Sequence, residues 1–222
     1  MIQTVQGVVL RVEETGDYDQ KLTLYTKEFG KFKVNVVGAR KSISKLRGLA
    51  IPFSEARFQV YLHGTIRAGV NDPGKLIGGE TLASHEGLRS VWERMLEASI
   101  FAETLDCLTQ TFFPNEPEYA LLVQSLKNLE ENVHPVLTRL RSTLILLKIL
   151  GYSLRHHPTW KSLSNEDRSL MVRLGAWTGE ENLFPAQDIS RLEAIIQPYL
   201  SLFLPVPLKS ELFLRKVSAG LA

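Results

Sequence analysis

Up to about residue 80, apolar side chains alternate with polar ones; beyond about Thr81 they recur every three to four residues instead. The first rhythm suits a strand with one buried face, and the second a helix with one buried stripe. A chain of 222 residues that changes period once is expected to fold as two parts. These are an N-terminal β structure over residues 1–80 and an all-α part over 81–222, with the boundary near Gly79–Ser84. A hydrophobic content of 44% supplies a core for both without disulfide staples.

The β part reads as about five short strands. Thr4–Val12 is apolar and β-branched, and Glu13–Asp17 supplies a loop. Lys21–Thr26 alternates, Lys27–Gly30 turns the chain, and Lys31–Val37 alternates again until Gly38 stops it. Ala56–Leu62 follows Pro52-Phe53; weaker segments at Gly64–Val70 and Leu76–Thr81 flank the turn Asn71–Gly74. The longest connection follows the third strand. This pattern suits a small closed barrel of the OB type, which binds single-stranded nucleic acid on one face, although an SH3-like barrel has a similar strand count.

In the helical part, Leu88, Val91, Trp92, Met95 and Leu96 start one amphipathic helix, continued by Leu105 and Leu108. Tyr119, Leu122, Val123, Leu126 and Leu129 mark a second, after Pro114 and Pro117. A third runs from near Pro135 to Leu150 with Gly151 just beyond its end. It is apolar around most of its girth, so it belongs at the centre of a bundle. Ser164 caps a fourth helix with Leu170, Met171 and Leu174 inward. Asp188 caps a fifth, carrying Leu192, Ile195 and Ile196, which Pro198 kinks or ends; a short last helix spans Leu208–Val217.

Charge is distributed unevenly. Residues 1–80 hold 12 Lys and Arg against 8 Asp and Glu, and Lys27–Arg67 holds nine cations against two anions. Lys31 and Lys33 lie on the wet face of their strand, and Arg40, Lys41, Lys45 and Arg47 follow in the loop. Such a run can follow a phosphate backbone, because each cation that meets a phosphate releases condensed counterions. A solvated lysine-rich edge that discourages strand pairing is the plainer alternative. Lys21 and Arg57 are weaker members of the same set. Among the interleaved rings Tyr25, Phe29, Phe32, Phe53, Phe58 and Tyr61, Phe32 and Phe58 are in phase with the core. Tyr25 and Phe29, beside Lys27 and Lys31, are the better candidates for stacking on bases.

Catalytic signatures are weak. Cys107 is the only cysteine and lies among Leu105, Asp106 and Leu108, where a packing thiol is expected. Phosphate-loop, nucleophile-elbow and zinc-protease patterns do not occur. His156-His157 reads as a loop pair beside Pro158 and Trp160, and Asp17 and Asp19 as turn residues that satisfy backbone donors. The expectation is no enzyme, no metal and no cofactor. Met1 leads directly into Ile2–Gln6 without a leader-like run, and Leu144–Leu150 is too short to span a bilayer, so the chain reads as cytoplasmic.

The order of motifs resembles that of a known family. It runs from Leu10-Arg11 through Gly16-Asp17 and Asp19 to Leu22-Thr23-Leu24-Tyr25-Thr26. Phe29-Gly30-Lys31, Gly38-Ala39-Arg40-Lys41, Ser44-Lys45-Leu46-Arg47-Gly48 and Pro52-Phe53 follow. The helical half adds Leu146–Tyr152, ending Leu-Gly-Tyr, and Leu208-Lys209-Ser210 before Phe213-Leu214. This arrangement resembles the bacterial recombination mediator family RecO. Many members carry four cysteines after the Leu-Gly-Tyr segment; here His156–Gly179 has none, so the zinc module is not carried over and residues 153–187 are expected to pack differently.

The resemblance implies an OB barrel that binds single- and double-stranded DNA, anneals complementary strands and works with RecR. It further implies help in loading RecA onto DNA coated with single-strand-binding protein, whose acidic, apolar C-terminal tail the helical domain contacts. Such a protein would associate with the nucleoid and be a monomer by itself. The DNA contacts expected are Lys31, Lys33, Arg40, Lys41, Lys45 and Arg47, with Lys21 and Arg57 secondary, and with little sequence preference. The rival reading is a protein–protein adaptor whose basic barrel or helical groove holds an acidic peptide.

Overall fold

Strand β1 (Ile2–Thr15) and β2 (Asp19–Thr26) form a hairpin longer than the periodicity indicates. The acidic stretch expected as a loop is paired instead, with Glu13 opposite Lys21 and Glu14 opposite Gln20, leaving only residues 16–18 as the turn. Opposite charges across a strand pair favour that extension. The computed structural model describes residues 1–62, 74–131, 134–179 and 184–218. The weak segment at Gly64–Val70 and most of the Asn71–Gly74 turn lie outside them.

Strand β3 (Gly30–Val36) pairs antiparallel with β2, β4 (Glu55–Tyr61) with β1, and β5 (Gly74–Ala83) with β4. A short parallel contact, Val34 with Gly74 and Asn35 with Lys75, closes the barrel in the order β1-β2-β3-β5-β4. This is the OB-type barrel. Val5, Val9, Leu22, Leu24, Phe32, Val34, Val36, Phe58, Val60 and Leu76 fill its interior, as alternation requires.

The chain divides into two compact units, Met1–Glu86 with Thr109–Val123, and Gly87–Leu108 with Gln124–Ala222. The barrel unit thus takes in a segment from well beyond residue 81. On the outer side of the β1–β2 pair, Val8, Thr23 and Tyr25 are buried too. The Tyr25 hydroxyl donates to the Glu118 carboxylate, and the Tyr119 hydroxyl to Glu55 Oε1 at 3.0 Å. Phe112 stacks on Phe32 with ring centroids 5.5 Å apart, and its N–H donates to the Lys31 carbonyl.

The helical elements are α1 (Glu86–Ser90), α2 (Trp92–Leu108), α3 (Glu116–Glu131) and α4 (Pro135–Ile149). After them come α5 (Pro158–Ser162), α6 (Asn165–Ala176), α7 (Ala186–Ser201) and α8 (Lys209–Ser218). Within the helical unit α4 touches α2, α6 and α7, the central position its apolar girth demands. Gly151 and Tyr152 return their N–H groups to the carbonyls of Lys148 and Leu147, closing its last turn. Fully buried Arg139 reaches from α4 to both Glu97 and Glu193, the latter at 2.7 Å, so its charge is paired where water cannot reach it.

Local details differ from the sequence reading. The first helix breaks at Val91, and Val91 and Trp92 are exposed rather than inward. The Glu130 carboxylate accepts the Gly87 N–H at 2.8 Å, satisfying a donor at the start of the short first segment. Ser164 caps α6 through the Asp167 N–H, as expected. Asp188 is not the cap of α7: that helix starts behind Pro185, and Asp188 sits in its first turn, 3.5 Å from Arg173. A carboxylate is favourable there too, because it faces the helix's positive end. The helix continues through Pro198 to Ser201, where a proline removes one backbone bond near the end. His157 caps α5 by accepting the Thr159 N–H.

Candidate nucleic-acid interface

The loop after β3 is built onto the barrel by backbone hydrogen bonds and small apolar anchors. The Gly38 N–H donates to Asp19 Oδ1 at 2.7 Å and the Arg40 N–H to the Tyr18 carbonyl at 3.0 Å, tying the loop to the β1–β2 turn. Lys41, Ser44 and Arg47 then bond back to Gly38, Lys41 and Ser44 in successive turns. Ala39, Leu49 and Ala50 are buried in the barrel core. At the far end Phe53 and Ser54 exchange hydrogen bonds with Val9, where β1 is bulged. Buried Ala39 on one side and Leu49 and Ala50 on the other thus flank the exposed cations.

Arg40, Lys41, Lys45 and Arg47 are all exposed. Arg40 and Arg47 border one hollow of about 470 Å³ together with Gln20, Ala39, Ser42, Ala50 and Ile51. Arg40 lies 3.0 Å from Glu14, and the Lys41 amine stands 5.6 Å from the centre of the Tyr18 ring. Lys33, Lys45 and Arg47 have no acidic partner within ion-pair distance among the described residues. Ile43, at the loop's tip, is 88% exposed.

The other expected contacts are placed elsewhere on the barrel. Lys21 follows Gln20 in β2, so it points to the opposite face from the hollow. It is a diagonal neighbour of Lys33, which faces Thr23 across the β2–β3 pair. Arg11 faces Thr23 from the other side and extends that row, a cation the sequence reading passed over because it stands alone in β1. The half-buried Lys31 donates its amine to the Thr109 carbonyl at 2.7 Å. Arg57 lies on the outer face of β4, 3.5 Å from Glu80.

The two stacking candidates are corrected. Tyr25 is completely buried, with its phenol pKa raised by burial and by Glu118, and so offers no face to a base. Phe29 is half-buried and packs edge-on against Phe32, ring centroids 6.2 Å apart. The exposed ring beside the cations is Tyr18, 55% accessible. Its signal in the sequence is an aromatic residue inside a Gly-Asp-x-Asp turn, where burial has no purchase.

The helical unit has its own concavity, about 590 Å³, between α4, the Leu154–His156 turn and α6. Leu144, Ile145, Met171 and Val172 give it apolar walls, and Arg141, Lys148, Arg155 and His156 border it. Cys107 is partly buried against the helical core. Among the described residues, no group of three or more His, Cys, Asp or Glu could hold a metal ion, and no helix is long and apolar enough to cross a membrane.

Residues 1–68 match the family model described as "Recombination protein O N terminal", and residues 89–159 that described as "Recombination protein O C terminal". The chain is 30% identical over 152 residues to the DNA repair protein RecO of Bacillus subtilis, covering 68% of this chain and 55% of that protein. It is 33% identical over 148 residues to the protein of the same name from Pelotomaculum thermopropionicum, covering 66% and 54%. For that of Listeria monocytogenes the identity is 27% over 150 residues, covering 68% and 56%. The matches thus span just over half the length of these relatives.

Proposed function

The chain belongs to the recombination protein O family, RecO, and from that premise we propose that it serves DNA repair and recombination by binding DNA without sequence preference and annealing complementary strands. The observation that carries this reading is the loop of residues 38–54. It presents four exposed cations, two of them around one hollow, on a backbone pinned to the barrel. Lys21 and Lys33 lie on the opposite face and are separate from the loop's cluster, and Lys31 and Arg57 occupy positions where each also has a protein partner. Annealing requires no active site. Screening the phosphates lowers the repulsion between two strands, and contacts to the backbone leave base edges free to pair. The protein is accordingly a mediator rather than an enzyme. Titration of single-stranded and duplex DNA at several salt concentrations tests the reading, since binding that ignores salt would remove its basis.

The same premise proposes RecR and single-strand-binding protein as partners, and RecA as the recombinase loaded. The α4–α6 groove supports a contact of the adaptor kind. An acidic, apolar tail could place its carboxylates on Arg141, Lys148 and Arg155 and its side chains between Leu144 and Met171. Direct titration with a peptide of that chemistry tests it, in competition with DNA.

A further inference from the structure

We propose that the β1–β2 turn carries a stacking site for an unpaired base, in which Tyr18 receives the base and Lys41 its phosphate. The inference rests on the DNA-binding reading and names the strand type that this part of the barrel selects.

Tyr25, Phe32, Phe53 and Phe58 of the barrel are buried, whereas Tyr18 leaves 55% of its surface open at the turn. A lone exposed ring is ordinary on a protein surface; this one is held and accompanied. Its carbonyl accepts the Arg40 N–H, and the next residue, Asp19, accepts the Gly38 N–H. Turn and basic loop are thereby locked together, so little freedom remains to be lost when a ligand orders them. The Lys41 amine lies 5.6 Å from the ring centre. That distance is within cation–π range and sets the positive charge over one face of the ring, so a base stacking on that face displaces the amine towards its own phosphate. Of the other exposed rings of this unit, Tyr61 is less open, at 39%, and Phe113 has no cation over it among the described residues.

The hollow between Gln20, Arg40 and Arg47 opens on the same loop, with Ala50 and Ile51 as apolar wall; Arg47 is the guanidinium there for a further phosphate, since Arg40 lies 3.0 Å from Glu14. A base within a duplex has both faces covered by its neighbours and cannot use such a ring. An unpaired base can, because every base has an open π face. The ligand class is therefore single-stranded nucleic acid, including the single-stranded part of a gap.

The test compares labelled oligothymidylate and a duplex, each titrated with the full chain and with Tyr18→Ala and Tyr18→Phe. Tyr18→Ala is expected to weaken oligothymidylate binding by about 5- to 100-fold. Duplex affinity and the salt slope should stay as in the wild type, and Tyr18→Phe should keep the single-strand affinity. Equal losses on both ligands, or no loss on either, overturn the stacking site while leaving DNA binding intact. Absence of binding by the unaltered protein overturns both readings at once. Matching thermal melts of the variants establish that a loss is not one of folding.

Discussion

The hydroxyl of Tyr25 on β2 donates a hydrogen bond to the carboxylate of Glu118 at the start of α3, with both residues closed off from water. Ninety-three positions of sequence separate them. This pair fastens the Thr109–Val123 segment over the outer face of the barrel. Burial raises the pKa of both groups, and the phenol's proton is the one shared.

Removing that donor should therefore be costly. Tyr25→Phe leaves the buried Glu118 with the Asn115 amide, 2.8 Å away. The expected loss is about 1–3 kcal/mol in urea unfolding. It should shrink in acid, where Glu118 takes up a proton and no longer presents an under-solvated charge. A cost that does not change with pH would contradict this account.

Two glycines with similar backbone angles should respond differently. Gly30 has φ +64°, and a Cβ there would lie 2.4 Å from the Phe113 carbonyl oxygen. Gly38 has φ +67°, but its Cβ would meet only the Lys41 side chain at 3.5 Å. Gly38→Ala should cost about 1–2 kcal/mol of left-handed strain. Gly30→Ala adds a backbone collision and should be clearly more damaging, as measured by the shift in melting temperature.

Glu103 on α2 caps α8, accepting the N–H groups of Lys209 and Ser210 at 2.9 Å each and the Ser210 hydroxyl. Burial pushes the pKa of its carboxyl up, but these donors outweigh it and hold it below the usual range. A depressed folded value means the contribution is complete above the ordinary glutamate pKa and is lost as pH falls through the folded value. Glu103→Ala should cost about 0.5–2 kcal/mol near neutrality. Urea midpoints measured down a pH series should converge between the two proteins as acid removes the charge from the wild type.

Replacing Arg40, Lys41, Lys45 and Arg47 together by Glu should abolish most DNA binding without unfolding the barrel, because all four side chains are exposed. For about five phosphate contacts on a single strand, the logarithm of affinity should fall against the logarithm of salt with a slope of roughly −3 to −4. The quadruple variant should flatten that slope. An unchanged slope would place the DNA elsewhere.

Lys148→Glu combined with Arg155→Glu should remove binding of an acidic, apolar peptide while sparing DNA binding by the loop. Fluorescence anisotropy with both ligands separates the two. Loss of DNA binding alone would reverse the assignment of the groove.

The architecture was legible from local periodicity. Phe32, Val34 and Val36 alternate because one face of their strand is wet, and Leu170, Met171 and Leu174 recur because one stripe of their helix is buried. Ser164 and Gly151 marked helix ends because caps are satisfied within a few residues. Tyr25 was misread for a related reason. In Leu-Thr-Leu-Tyr-Thr, alternation assigns Tyr25 to the outside, and only the distant segment that carries Glu118 closes over it. Asp188 was misplaced because a carboxylate is equally at home as a cap or in the first helical turn.

By itself the sequence settles which residues seek burial in each element, where the chain turns, and how many cations the early loop carries, since these follow from neighbours along the backbone. The tertiary structure alone decides that Thr109–Val123 sheathes the barrel, that Arg40 and Arg47 share a hollow while Lys21 and Lys33 face away from it, and that Tyr18 rather than Tyr25 remains open. Those outcomes depend on strand parity and on contacts between residues far apart in the chain, which no local pattern encodes.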